Sequence, residues 1–196
     1  MGEVKSAFEK AMEKIKEIQG LGPEEREEME AREKLRSVLA VFYKGDLKRD
    51  ELWAKLKGLK PSLLKEAQEN IADSLRMSNM PEEFMKKKDG ILAIEALKER
   101  QNIAAIEHSL SAVDRVQREY TDIRQRAVDE LRAAIEENPK LRVRPVRTPD
   151  GRTVLQATPS VDEAVQARAG EFLAEHEKRY EAMFSKAIDR LKKEIK

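Results

Sequence analysis

From Ile91 to Asn138 the chain runs for 48 residues without a proline or a glycine. No residue there breaks a helix by its own chemistry, and one continuous helix of that length would extend about 72 Å, more than most single domains can enclose. Its apolar residues fall on one stripe: Ile103, Ile106, Leu110, Val113, Val116, Tyr120, Ile123, Ala127, Leu131 and Ile135. The steps average about 3.56 residues, between the 3.5 of a coiled-coil seam and the 3.6 of a straight helix. A helix that is apolar on one side only must lie against a partner, and a long one needs a long partner.

The C-terminal segment supplies it. Ser160 follows Pro159 and precedes Glu163 by three residues, a helix-capping pattern, and a helix from there can reach Lys196. Its expected inward positions are Val165, Ala169, Phe172, His176, Tyr180, Met183 or Phe184, Ala187, Leu191 and Ile195. At about 54 Å it would leave roughly 18 Å of the longer helix unmatched. A second copy of the chain, or the N-terminal helices, would have to cover that surplus.

Between the two helices, Leu141 to Ser160 is the one stretch that alternates like a strand. Thr148-Pro149-Asp150-Gly151 places Pro, Asp and Gly where a β-turn wants them, with Leu141, Val143, Val154 and Leu155 as flanking β-formers. Pro145 requires an edge position or a bulge.

Upstream, Val4, Phe8, Ala11, Ile15 and Ile18 mark a first helix ending at Gly20 and Gly22. Pro23 opens a second, with Met29, Leu35, Val38, Leu39 and Phe42 on one side, that stops at Gly45. Asp46 is placed to cap a third from Leu47 to Lys57, closed by Gly58, and a fourth runs from Pro61 to Met77. Asn79 with Glu82 restarts a helix that Asp89 and Gly90 interrupt or bend. The predicted fold is therefore mainly α. It comprises a bundle of short helices over residues 1–78, then an antiparallel long-helix pair over 79–196, like a coiled-coil stalk, joined by one β-hairpin at about 141–157.

Composition narrows the chemistry. With 39 basic against 38 acidic side chains the chain is nearly neutral, unlike a globally basic nucleic-acid binder. There are no cysteines, so disulfides, thiolate metal sites and cysteine nucleophiles are excluded. The longest apolar run, Val38 to Tyr43, is far too short to span a membrane, and the first residues lack a secretory apolar core, so the expected location is cytoplasmic.

No phosphate-binding loop, dinucleotide fingerprint or nucleophile elbow occurs. Residues three before His108 and His176 are Ala105 and Leu173, so the Glu-x-x-His pairs of di-iron bundles are missing. His176 shares the Phe172 and Tyr180 stripe and is expected at a core or interface, whereas His108 projects toward solvent. Trp53, the sole tryptophan, reads as a core anchor of the N-terminal unit, and Lys86 to Lys88 as a solvated helix end. No catalytic residue, metal site or cofactor is expected, and the chain does not read as an enzyme.

Lys140, Arg142, Arg144, Arg147 and Arg152 face only Asp150 across the hairpin, the one marked charge imbalance. A basic tip could hold phosphates or an acidic partner; arginines on a two-stranded ribbon also simply block edge pairing. Without interleaved aromatics, nucleic acid is the lesser option. The functional expectation is a non-enzymatic scaffold, adaptor or chaperone-like protein with a protein partner and self-association as a homo-oligomer. Its candidate interface residues are Ile103, Ile106, Leu110, Tyr120, Phe172, His176 and Tyr180. An anion- or nucleic-acid-binding module using the hairpin arginines is the alternative, with an enzyme built from scattered acids a third. In outline, Ile91 to Lys196 resembles prefoldin-type chaperone subunits and the central-stalk coiled-coil subunits of rotary ATPases, a likeness of shape and not of motif.

Overall fold

The computed structural model describes residues 22–157 and 160–196, and of residues 139, 144, 145 and 155–157 the backbone alone. The helix expected around Val4 to Ile18 lies outside these residues. The described chain is mainly helical, with one two-stranded antiparallel hairpin. It divides into two compact units, one of residues 22–71 with Lys86–Ile103 and one of Ala72–Met85 with Ala104–Lys196.

In the first unit, helix α1 (Pro23–Lys44) starts where expected, with Pro23 in the first turn and the Gly22 N–H donating to Glu25 Oε2 at 2.9 Å. Leu35, Val38, Leu39 and Phe42 form its buried stripe, and Gly45 at φ 98° ends it. Helix α2 (Arg49–Leu56) begins later than Asp46 would place it. Lys48 precedes it, with its N–H bonded to Glu51 Oε2 at 2.8 Å, while Leu47 turns into the core. Leu52 and Leu56 are fully buried, and between them Trp53 is 37% exposed with the Lys57 ammonium 5.1 Å from its ring centre. The core anchors of this short helix are its leucines and not its tryptophan, because only one side of two turns can face inward.

Helix α3 (Pro61–Ser74) buries Leu63, Leu64, Ala67 and Ile71. Helix α4 (Pro81–Glu95) runs straight through Asp89 and Gly90. Gly90 serves close packing: a Cβ there would sit 2.6 Å from Phe42 Cζ and 3.3 Å from Ile71 Cδ1. The lysine run lies inside this helix and not at a solvated end, with Lys87 buried and the Lys86 ammonium 5.1 Å from the centre of the Phe42 ring. Helices α3 and α4 each contribute residues to both units.

The 48-residue stretch is not one helix. Helix α4 stops at Glu95 and the next, α5 (Ile103–Glu137), begins after a seven-residue break. The cause is a buried carboxylate. Glu95 is 1% exposed, and its Oε2 accepts from Gln68 Nε2 at 2.9 Å and pairs with Lys98 Nζ at 3.0 Å. Its Oε1 takes the Asn102 N–H at 2.6 Å. A backbone amide bonded to a side chain seven residues back cannot be in a continuous helix, and the charge is satisfied only if the chain folds around it. Ile91 to Ile94 are all buried, an environment unlike the one-sided stripe that resumes at Ile103.

In the second unit α5, 35 residues or about 52 Å, faces α6 (Val161–Glu194), 34 residues or about 51 Å. The expected mismatch in length between the two helices disappears. Leu131 and Ile135 pack with Ala164 and Val165; Val116 and Tyr120 pack with Tyr180. Arg132 pairs with Asp162 at 2.7 Å. Higher numbers on one helix meet lower numbers on the other, so the two run antiparallel.

The chain reverses as the turn chemistry requires. Gly151, at φ 82°, donates its N–H to Thr148 O at 2.9 Å, and β1 (Val143–Arg147) pairs with β2 (Thr153–Ala157) in the register Val143↔Ala157 to Arg147↔Thr153. Both strands of a two-stranded ribbon are edges, which accommodates Pro145. A 3₁₀ turn, Pro139–Arg142, leads in, and Arg168 Nη2 of α6 donates to Val143 O at 3.1 Å. Ser160 Oγ accepts from the Glu163 N–H at 3.2 Å and caps α6.

Candidate docking groove

The stripe of α6 departs from its expected phase in the middle. Leu173 is buried, while Phe172 is 46% exposed and His176 is exposed. The inward line runs Val165, Ala169, Leu173, Glu177 and Tyr180, with its one step of three after Glu177 and not, as expected, after Ala169. Leu173 and Tyr180 bury their side chains on this face, and Glu177 between them is accommodated because Tyr120 Oη donates to its Oε1 at 3.2 Å. Beside that bond the Tyr120 and Tyr180 rings pack 5.8 Å apart at 49°. Burial, and then the Glu177 carboxylate, raise the Tyr120 phenol above its ordinary 10.0. Ionising it would bring two anions together, so the phenol remains a hydrogen-bond donor.

Two cavities share Met77, Ser78, Tyr120 and Glu177 in their linings. The first, about 620 Å³, has an apolar floor of Leu75, Met77, Phe184 and Ile188. Along one wall Glu177, Glu181, Ser185 and Asp189 succeed each other at intervals of four, one row of α6. The Lys192 ammonium pairs with Asp73 in the lining. Four carboxylates against Arg76 and Lys192 leave this cavity net acidic. Arg76 is turned back onto its own loop, its Nη1 donating to Leu75 O at 2.8 Å.

The second cavity, about 930 Å³, is lined by Met80, Phe84, Asp114, Gln117 and Arg118 among others. The loop between α3 and α4 lends Met77 and Ser78 to both linings and is hydrogen-bonded in place. Gln117 Nε2 donates to Arg76 O at 2.6 Å, and Asn79 Oδ1 accepts the Arg76 N–H at 2.6 Å, bracing the loop just before α4 starts at Pro81. Met80 is 70% exposed at its edge.

The other expected site residues are dispersed. Ile106 and Leu110 are fully buried and Ile103 half-buried; Tyr120 and Tyr180 lie at the pair already described. Of the hairpin cations, Lys140, Arg147 and Arg152 are exposed and Arg142 is half-buried; the Arg144 side chain is outside the described residues. Arg152 pairs with Asp150 of its own turn at 3.6 Å, and the Thr148 hydroxyl bonded to Asp150 holds that carboxyl below the usual range. Among the described residues no group of three or more His, Asp or Glu is placed to hold a metal ion, and His108 and His176 are both exposed on different helices. No described helix is long and apolar enough to cross a membrane.

Sequence reading missed the groove. Its one local signal was the pair Met77 and Met80 around a loop, since the acids of α6 read only as helix-supporting charge.

Fold and groove define a mainly helical protein with a small β-hairpin and an open, apolar-floored cleft. The chain belongs to the family of unknown function DUF6657, which matches residues 50–196. No curated protein and no solved structure matches it.

Proposed function

We propose that the chain is a non-enzymatic interaction protein, a helical adaptor whose docking surface is the double cleft around Tyr120 and Glu177. One observation carries the reading: apolar side chains, Met77, Phe184 and the largely exposed Met80, line two open cavities that share the hydrogen-bonded Tyr120–Glu177 pair. Methionine-rich apolar surface adapts to a partner's side chains, and a fixed donor–acceptor pair at its centre gives the contact a defined position. Tyr120, kept protonated by its burial and then by the Glu177 carboxylate, suits anchoring better than proton abstraction. The hairpin tip is the weaker candidate, since Arg152 is engaged within its own turn and Arg142 is half-buried.

The test is a photoreactive benzophenone side chain placed in the full chain at Ser185, on the cleft wall, and separately at Glu130, exposed on α5. A discrete protein adduct from position 185 and none from 130 is expected in cells that make the protein. Identical adducts from both positions, or none from either, would refute the reading.

A further inference from the structure

The chemistry of the cleft specifies its occupant. Glu177, Glu181 and Asp189 stand on one row of α6 that extends about 18 Å, or just over three helical turns, beside a floor of Met77, Phe184 and Ile188. An apolar floor bounded on one long side by carboxylates is complementary to a helix with an apolar stripe and cations on the flank of that stripe. The chain itself provides the first example, since the Lys192 ammonium already pairs with Asp73 in this lining. Resting on the adaptor reading above, we infer that the partner is a basic amphipathic helix of three to four turns, lying along α6 with its apolar residues on Phe184 and Ile188.

A small polycation would satisfy the carboxylates but leave the floor uncovered, and a neutral apolar helix would leave the acids facing apolar surface. Neither fits both halves of the cleft.

The probe is a fluorescein-labelled 18-residue peptide of leucine and lysine, with leucines at helical spacing on one stripe and lysines beside it, titrated with the full chain by fluorescence anisotropy. It should bind, weaken as salt is raised, and weaken about tenfold or more against Glu181→Lys with Asp189→Lys. Both residues are exposed, so that variant should keep its fold, checked by circular dichroism. The same peptide with glutamate for lysine should bind the doubly reversed variant and not the wild type.

Equal affinity of the basic peptide for both proteins would overturn the proposal. So would equal binding of a peptide with serine for leucine, displacement by spermine at comparable concentration, or a dimer of the chain that occupies the same cleft. If a defined partner cross-links at position 185 while the basic peptide fails to bind, the adaptor reading stands and this partner chemistry falls.

Discussion

Tyr120 and Glu177, 57 residues apart, meet at 3.2 Å between α5 and α6, one turn from the buried Leu173 and Tyr180 of the C-terminal helix. Tyr120→Phe keeps the ring against Tyr180 and removes the donor. The expected loss is about 1 kcal/mol, seen as a lower urea midpoint at unchanged slope. Because the folded pKa is raised, the bond's contribution is whole below the unfolded value near 10 and declines as pH climbs through the folded one. Wild-type stability should therefore fall more steeply above about pH 10 than that of Tyr120→Phe.

Adjacent residues on α6 should respond oppositely to truncation. Leu173→Ala removes a side chain that is 2% exposed and should cost about 2 to 4 kcal/mol; Phe172→Ala, at 46% exposed, should stay within about 0.5 kcal/mol. Chemical denaturation of the two variants distinguishes this phase of the helix from the one in which Phe172 faces inward.

Glu95→Gln would remove the carboxylate charge 3.0 Å from the Lys98 ammonium, whose side chain is 7% exposed. A loss of about 3 kcal/mol or more is expected, partly recovered when Lys98→Met is added. Hydrogen exchange at the Asn102 amide should speed up in the single variant, since Glu95 Oε1 is its acceptor.

Two glycines in helices should behave in opposite ways. Gly90→Ala gains helix propensity but drives its methyl to 2.6 Å from Phe42 Cζ, a net loss of about 1 to 2 kcal/mol. Gly170→Ala meets nothing within 4 Å and should gain about 0.5 to 1 kcal/mol. Melting temperatures should move down and up respectively.

Features that depend on a few neighbouring residues were legible in the residues alone. Pro149-Asp150-Gly151 makes its turn, Gly45 ends α1, Ser160 caps α6, and the stripe from Ile106 to Ile135 is buried at all but one position, half-buried Ile123, because backbone preference and side-chain period are local properties. Tertiary structure decided the rest. The buried Glu95 carboxylate at the helix break is bonded to Gln68, 27 residues away, and Glu177, on the inward side of α6, is bonded to a phenol 57 residues earlier. The cleft exists only because Met77, Tyr120 and Phe184 are brought together from three separate segments. A buried charge or an inward carboxylate is stable only beside its partner, and which partner it finds is set by how the whole chain folds back, not by the residues on either side of it.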